Sequence, residues 1–511
     1  MYYCSGKYAC MAIKEQTVSG VKWNTAATIT NAGIQVLKLF ILARLLEKTD
    51  FGLMAIAMMV IGFTEIFSNL GLSIGLIHKQ DITQKQYSSV YWVNLIASVL
   101  LYGVLWAITP LLVRFYTEPE LASIIPQLGL LLIINAFGKI FYTFKTKELE
   151  FKFISIVNIV CVVAGAILTV LLALWGFGVY SLVYGMLFQA LAMQLTYAIS
   201  GFGKYKILFY CKLKDIADYL KIGGFQVGTQ VLDYAAAKLD IFLIGRFFGM
   251  ELLGIYNLAK ELILRIIHII NPIITNVATP AFAKIQDNVP LMQNTYLRIL
   301  KLLSSLNFPI FFLFFVFAEP ITLLVYGEKM MGVALFLRIL SMWGLLNSVG
   351  NPAGILMVSL GRTDLGFYWA LIRISATTAA ILIASYISLE AVAYAQVILA
   401  FIFFFIYWRT MIYNMVQIKL KDYIGANARP FLYALAAAII AAPLCLLFPI
   451  YVPDCVSQFE IIYPRFYAQA AALILFGLTY TGLYWFCDRE YVKEQLQLLM
   501  PNRWQRQQKI E

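Results

Sequence analysis

A succession of apolar runs, each long enough to cross a lipid bilayer, is the feature that most constrains this chain. A helix that spans the hydrocarbon core needs about 20 predominantly apolar residues. Because backbone polar groups in a bilayer must be satisfied within the segment, the runs predict an all-α integral membrane protein with about fourteen transmembrane helices. The predicted helices lie near residues 25–46, 51–77, 88–113, 123–143, 154–174, 178–199, 222–247, 252–283, 299–318, 331–357, 366–386, 389–412, 430–449 and 465–486.

Composition excludes several classes of protein. Hydrophobic residues make up 61% and charged residues 13% of the 511 residues, whereas soluble domains have about 45–50% and about 25%. Seven scattered cysteines without a C-x-x-C pair, together with two histidines, predict neither a metal site nor a disulfide framework. The sequence has no G-x-x-x-x-G-K-[ST] phosphate loop, which disfavours an ATP-driven pump. We expect no cofactor.

The basic residues are distributed unevenly between the two sides of the predicted bundle. Of the 39 Lys and Arg residues, 27 fall in one alternate set of loops that includes both termini, and six fall in the other set. By the positive-inside rule, both termini are expected to be cytoplasmic. The net charge of +12 is therefore interpreted as a signal of topology. We expect residues 1–22 to form a cytoplasmic N-terminus and residues 487–511 a cytoplasmic tail.

Two segments of the chain, 202 residues apart, have related sequences. Residues 43–57 read ARLLEKTDFGLMAIA and residues 245–259 read GRFFGMELLGIYNLA. The match predicts two parallel six-helix repeats, over 23–200 and 222–413, joined by a cytoplasmic linker at 201–221. Two accessory helices follow at 430–486. In transporters built from repeats, substrate binds at the interface between them.

Polar residues recur on one face of the first helix and of its repeat equivalent. Spacings of four and three residues place one set on a single helical face, namely Asn24, Thr28, Asn31, Gln35 and Lys38. The corresponding set in helix seven comprises Gln226, Gln230, Asp233 and Asp240. A central charge facing lipid costs about 2.5–3.5 kcal/mol, so we expect both faces to line the protein interior. Lys38, Asp233 and Asp240 are then either exposed to a cavity or held in interior ion pairs. For the amides, hydrogen bonding between helices is an equally good interpretation.

Further charged residues lie within the predicted helices. Helix eight carries Glu261, Arg265 and His268 on one face. These residues form either a self-neutralising structural group or a site in which Arg265 contacts an anion and a neighbour titrates. The predicted substrate-binding residues of a central cavity are Asn31, Gln35, Lys38, Arg265, Arg338 and Arg373. The predicted coupling residues are Glu65, Asp233, Asp240, Glu261 and His268.

Three prolines lie inside predicted helices, at Pro272, Pro309 and Pro352. Each removes a backbone hydrogen bond and is expected to bend or break its helix. Two of them follow an asparagine, whose side chain is able to satisfy backbone groups freed by the break. A moving hinge and a static kink are equally good interpretations.

Several motifs in a fixed order resemble those of one transporter family. Besides the two related segments, they are NLGLSIGLIHKQDITQKQ (69–86), FYTEPEL (115–121), PAFAKIQDN (280–288), VYGEKM (325–330) and SLGRTD (359–364). Together they resemble the polysaccharide-export flippases. These are the O-antigen, colanic-acid and teichuronic-acid transporters of the multidrug/oligosaccharidyl-lipid/polysaccharide exporter superfamily. The likeness covers about residues 14–425.

The resemblance implies a flippase that moves an undecaprenyl-diphosphate-linked oligosaccharide across the bacterial inner membrane by alternating access. It implies a cationic central cavity, to which Lys38, Arg265, Arg338 and Arg373 are comparable in position. The acidic residues Asp233 and Asp240 would make this cavity less uniformly cationic than the cavity that the resemblance implies. The expected partners are the polyprenyl-diphosphate substrate, membrane lipid and a polysaccharide polymerase or export machinery, with no nucleic acid.

Two other functions are weighed against the flippase. A cation-coupled drug antiporter of the same superfamily would use interior acids for Na⁺ or H⁺, namely Glu65, Asp233, Asp240 or Glu261. A polymerase, ligase or glycosyltransferase would need a substantial outer loop or an acidic metal site. The longest predicted outer connection, 450–464, is short and has no D-x-D motif. We therefore expect a protein that is not an enzyme.

Overall fold

The computed structural model describes residues 2–69, 83–212, 217–447 and 459–489. Within these ranges the ordered elements are helices, and no strand is present. The predicted all-α class is confirmed. Most of the motif at 69–86, most of the connection at 450–464 and most of the tail at 487–511 lie outside the described residues.

The described residues up to 202 form six helices. The helix α1 begins well before the predicted span at residue 25, because no proline interrupts residues 2–45. A capping box starts α3, in which the side chains of Thr83 and Gln86 each accept a backbone N–H of the other residue. The helices are α1 (Tyr2–Leu45), α2 (Lys48–Asn69), α3 (Gln84–Tyr116), α4 (Leu121–Lys147), α5 (Phe151–Leu174) and α6 (Val179–Phe202).

The next helix, α7 (Ala217–Lys284), reverses direction in its middle. Gly249 has φ 80° and ψ 175°, a conformation that glycine adopts without steric cost. In a straight helix Lys238 and Glu261 would lie about 35 Å apart, yet Lys238 Nζ lies 3.7 Å from Glu261 Oε1. The helix is therefore a hairpin with a first arm (217–248) and a second arm (250–284). The arms correspond to the predicted helices near 222–247 and 252–283.

The described residues from 289 onward are also mainly helical. A π-helical segment, Trp408–Ile412, follows α13, and a short 3₁₀ segment, Glu328–Met330, follows α9. The helices are α8 (Val289–Val316), α9 (Ala318–Tyr326), α10 (Gly332–Ser348), α11 (Asn351–Ser359), α12 (Thr363–Ser385), α13 (Leu389–Tyr407), α14 (Tyr413–Val416), α15 (Leu420–Leu447) and α16 (Phe459–Cys487).

Twelve helical stretches of the described chain are long and apolar enough to cross a membrane. The two arms of α7 carry more charge and complete the fourteen predicted helices. Large apolar side chains are exposed on the spanning helices, including Leu100, Leu111 and Ile199. Such exposure is unfavourable in water and is expected where lipid covers the surface.

The chain divides into two compact units. Unit 1 comprises Met1–Glu261, Val325–Met330 and Gly366–Gln396, and unit 2 comprises Leu262–Leu324, Met331–Leu365 and Val397–Glu511. Unit 1 thus joins α1–α6 to the first arm of α7 and to most of α12. The two six-helix repeats with their boundary at 201–221 stay a prediction.

In unit 1, α2 crosses the second arm of α7 with the two backbones in contact. A Cβ atom added to Gly52 would lie 2.0 Å from the carbonyl oxygen of Met250, and one added to Gly254 would lie 1.9 Å from that of Lys48. Gly52 and Gly254 are equivalent under the 202-residue offset, and so are Lys48 and Met250. Each repeat segment therefore packs its glycine against the same position of the other. We call this contact the glycine seam. An ion pair of 3.0 Å between Lys48 and Glu251 flanks it.

The close backbone contact at the glycine seam predicts that a larger residue at position 52 destabilises the protein. Gly52→Ala is expected to lower stability by about 1–3 kcal/mol, because the added methyl group meets backbone that has no room to yield. The measurement is the thermal unfolding midpoint of the purified protein in detergent. Gly33→Ala in α1 is the matched control, since nothing lies within 4 Å of the added atom there. Equal midpoints for the two variants would show that the seam is not tightly packed.

In unit 2, side chains from neighbouring helices satisfy the backbone groups that two prolines leave free. A helical N–H bonds the carbonyl four residues earlier, so Pro309 frees the carbonyl of Ser305. Tyr480 Oη on α16 donates to this oxygen at 2.6 Å. Pro352 likewise frees the carbonyl of Ser348, which accepts a 3.2 Å hydrogen bond from Asn271 Nδ2. Both breaks are thus held by a partner helix.

The last two long helices, α15 and α16, are attached to α8 by polar contacts. Ser304 on α8 donates to Asn427 Oδ1 on α15 at 2.5 Å. Lys301 pairs with Asp488, just beyond α16, at 2.6 Å. Together with the Tyr480 hydrogen bond, these contacts make the accessory pair a support for α8 at its internal proline.

Removing the phenolic oxygen of Tyr480 tests this support. Tyr480→Phe is expected to cost about 0.5–1.5 kcal/mol, or more, because the freed carbonyl of Ser305 then lies without its donor. The thermal midpoint is compared with that of Tyr386→Phe, an exposed tyrosine whose ring contact with Phe247 survives the change. Equal loss in both variants would argue against a special role for Tyr480.

Candidate functional site

A closed ion cluster lies inside unit 1, built by both arms of α7 and by α13. We call Asp240, Tyr256, Lys260 and Gln396 the buried ion cluster. The Asp240 carboxylate accepts hydrogen bonds from Lys260 Nζ, from Tyr256 Oη at 2.7 Å and from Gln396 Nε2 at 3.3 Å. Lys260 Nζ also donates to the carbonyl of Ala237 at 3.1 Å. Only 3% of the Asp240 side chain and 5% of the Lys260 side chain are exposed.

The cluster changes the interpretation of Asp240. The sequence leaves two interpretations of this carboxylate, exposure to a cavity and an interior ion pair, and the structure encloses it among donors that satisfy its oxygens. Lys260 was missed as its partner because 20 residues separate the two along the chain. The only sequence signal is their placement on either side of Gly249, where the chain reverses. Charges buried in this way require mutual compensation.

Removing the cation of the buried ion cluster is predicted to destabilise the protein. Lys260→Met leaves a buried carboxylate without its cation and is expected to cost about 3–5 kcal/mol. The double variant Asp240→Asn/Lys260→Met removes the stranded charge and is expected to recover a large part of that loss. Thermal midpoints of the inserted proteins provide the measurement. A single variant as stable as the unmodified chain would contradict this assignment.

A second ion pair, between α7 and α12, is open. Arg373 Nη2 lies 2.6 Å from Asp233 Oδ1, with 34% and 54% of the two side chains exposed. Arg373 Nε is buried, and no hydrogen-bond partner for it is found among the described residues. Unlike the buried ion cluster, this pair is accessible to whatever occupies the adjoining space.

Other charges of unit 1 are also matched by opposite charges. Lys238 lies 3.7 Å from Glu261, and Glu65 is close enough to Lys139 for an electrostatic interaction. Both Glu65 and Glu261 interact electrostatically with Tyr234, which is adjacent to Asp233 in the chain. We therefore group the three pairs as the charged face, which carries three acids and three bases and no net formal charge. Its members are Glu65, Lys139, Asp233, Lys238, Glu261 and Arg373.

Tyr234 fixes the first arm of α7 against α2 beside the charged face. Its hydroxyl donates to the carbonyl of Met59 at 3.0 Å, and its ring lies 6.4 Å from that of Phe63. A Cβ atom added to Gly62 would lie 2.2 Å from Tyr234 Oη. A small residue at position 62 therefore allows the two helices to approach closely.

The other predicted site residues are distributed between the two units. On α1, Asn31, Gln35 and Lys38 are half-buried, and Asn31 Oδ1 is buried without a hydrogen-bond partner among the described residues. The side chain of Gln226, the repeat equivalent of Asn24 on the same face, lies outside the described structure. Unit 1 holds Asn31, Gln35, Lys38, Glu65, Asp233, Asp240, Glu261 and Arg373, and unit 2 holds Arg265, His268 and Arg338.

The three predicted residues of unit 2 have different surroundings. Arg265 is half-buried, and its Nη1 atom has no hydrogen-bond partner among the described residues. His268 is exposed. Arg338 Nη2 lies 3.0 Å from Glu319 Oε1. The convergence of Lys38, Arg265, Arg338 and Arg373 stays a prediction. In the described ranges no group of three or more His, Cys, Asp or Glu residues is arranged to hold a metal.

Apolar spanning helices with compensated charges in their interior define a multi-pass α-helical membrane protein. The chain belongs to the polysaccharide biosynthesis protein family, whose model matches residues 41–335. It is 29% identical over 435 residues to the teichuronic acid biosynthesis protein TuaB of Bacillus subtilis, with 84% of this chain and 89% of TuaB covered. It is also 29% identical over 357 residues to the lipopolysaccharide biosynthesis protein WzxC of Escherichia coli, with 70% and 73% covered.

The fold is shared with a solved transporter structure. The lipid II flippase MurJ, in an inward closed conformation, superposes with a TM-score of 0.71 over 91% of this chain and 99% of MurJ. Sequence identity is 13%, so this likeness establishes the fold and leaves the function to be argued from the site.

Proposed function

We propose that this protein is a flippase that moves an undecaprenyl-diphosphate-linked oligosaccharide across the bacterial inner membrane by alternating access. The observation that carries the proposal is the charged face, because ionisable groups inside spanning helices mark substrate or ion pathways. The relatives named for teichuronic acid and lipopolysaccharide biosynthesis support a polysaccharide repeat unit as the cargo. The fold shared with a protein named as a lipid II flippase supports a lipid-linked substrate.

The chemistry of the site suits an anionic head group attached to sugars. An arginine presents a planar fork that binds phosphate oxygens with two parallel hydrogen bonds. In this proposal Arg373 provides that contact, and Lys38, Arg265 and Arg338 add cationic contacts at other stages. Asn31 and Gln35 offer amide groups to sugar hydroxyls. Translocation makes and breaks no covalent bond, so the protein is not an enzyme.

The topology of the proposal follows from the distribution of basic residues. With both termini cytoplasmic, α1 crosses the membrane once before the glycine seam, which then lies toward the outer leaflet. The closed seam would separate the substrate from the outer side while it loads from the cytoplasmic side. A polysaccharide polymerase or export machinery would take over the delivered lipid-linked unit.

Charge reversal tests the proposed contacts. Arg265→Glu and Lys38→Glu are each expected to abolish surface polysaccharide while membrane insertion is retained, because an acid repels the diphosphate. Lys421→Glu, at an exposed position near the start of α15, is the control and is expected to be silent. In reconstituted vesicles, the same variants are scored by movement of a labelled lipid-linked oligosaccharide between leaflets. Normal polymer from a properly inserted variant would remove that residue from the mechanism.

A cation-coupled drug antiporter is the second candidate, because the charged face includes three carboxylates that could bind a cation. Glu65, Asp233 and Glu261 would serve it, with His268 as a further coupling residue, whereas Asp240 is enclosed. Expression in a host that lacks drug efflux separates the two functions. Restored drug resistance without any effect on surface glycan would favour the antiporter.

A further inference from the structure

The basic residues of the charged face each have a carboxylate nearby. A lone arginine or lysine inside a membrane bundle is costly, and a nearby carboxylate lowers that cost. Asp233 forms an ion pair with Arg373, and Glu261 forms one with Lys238. Without a ligand this face is therefore neutral, although the proposed cargo carries a strongly negative diphosphate.

The Arg373 pair differs from the buried ion cluster in a way that matters for binding. In the cluster, Asp240 receives donors from three side chains and is sealed. Asp233 is 54% exposed and meets Arg373 through a single 2.6 Å contact to Nη2. A guanidinium has five N–H donors, and Arg373 Nε lacks a hydrogen-bond partner among the described residues. The arginine thus retains unused donors beside a carboxylate that is able to leave.

We propose that Asp233 is an internal competitor for the anion site at Arg373, an inference that rests on the proposed function. Without substrate, the Asp233 carboxylate occupies the guanidinium. The diphosphate of the lipid-linked oligosaccharide displaces it, since phosphate oxygens form the two-bond contact that the single Asp233 contact does not. Asp233 then turns toward the open space in which it is already half exposed.

Competition of this kind favours turnover over tight binding. An internal ligand that occupies the site lowers the apparent affinity by the fraction of time that it is bound. When the diphosphate reaches the far side, Asp233 returns to Arg373 and helps to expel it. A transporter gains from this because uniformly tight binding would slow release.

The decisive variant is Asp233→Asn, which keeps the size of the side chain and removes its charge. With undecaprenyl diphosphate as the probe, we expect binding about tenfold tighter, corresponding to about 1.4 kcal/mol, together with a lower maximal rate of oligosaccharide movement. Arg373→Gln is expected to weaken binding. The double variant should bind like Arg373→Gln alone, since Asp233 acts through Arg373.

The matched control is Asp364→Asn on the same helix, α12. Asp364 pairs with Arg362 at 3.2 Å, so the substitution and the type of partner are the same, at a position outside the charged face. Binding and transport are expected to stay at the unmodified level. A tightening in this control would show that loss of any carboxylate attracts the anionic probe and would overturn the inference.

The outcomes separate this inference from the proposed function. One outcome is that Asp233→Asn binds undecaprenyl diphosphate no more tightly than the unmodified protein, although the unmodified protein moves the oligosaccharide. In that case Asp233 is only a structural partner of Arg373, and the competitor role is wrong. Should the unmodified protein neither bind undecaprenyl diphosphate nor move the oligosaccharide, both proposals fail. If Asp233→Asn does not insert, Asp233→Ser removes the same charge and takes its place in every comparison.

Discussion

Each charge placed among apolar helices needs an opposite charge or a hydrogen-bond partner close by, and this constraint organises the interior of unit 1. Desolvation of an isolated ion costs several kcal/mol even after the protein relaxes. Asp240 meets the requirement through Lys260, and Asp233 meets it through Arg373. The first solution ties the arms of α7 together, whereas the second leaves charge available. The same physical rule thus yields a sealed structural element and an accessible ion pair, the proposed binding element, on one helix.

Much of this fold can be predicted from the sequence, because a membrane-spanning helix is recognised by the apolar composition and the length of its segment. The repeat offset of 202 residues brought Gly52 and Gly254 into register, and the polar face of helix seven located Asp233. The ion pairs could not be predicted from the sequence, because they depend on the reversal at Gly249 and on helices that are distant in sequence. Lys139 shows the same limit. The predicted span 123–143 contains it and the structure sets it within α4, but the sequence did not reveal that Glu65 of α2 lies near it.

The proline sites of unit 2 show how the remaining helices contribute. The sequence marks where Pro309 and Pro352 break backbone bonding, and elementary helix geometry identifies the carbonyls of Ser305 and Ser348 as the groups set free. It does not identify the donors. Tyr480 comes from the last described helix, and Asn271 comes from the second arm of α7. The C-terminal pair α15 and α16 therefore stabilises α8 where Pro309 interrupts its backbone hydrogen bonding.

The glycine seam resembles the contact of a symmetric dimer, but the two copies are encoded separately. In a true two-fold dimer every side-chain pair occurs twice. Here Lys48 faces Glu251, while the positions related to them by the repeat are Met250 and Thr49. The ion pair is therefore made once, on one side of a backbone crossing that is otherwise symmetric. A fused repeat is thus free to open more easily along one edge than along the other, a directionality that identical subunits are unable to encode.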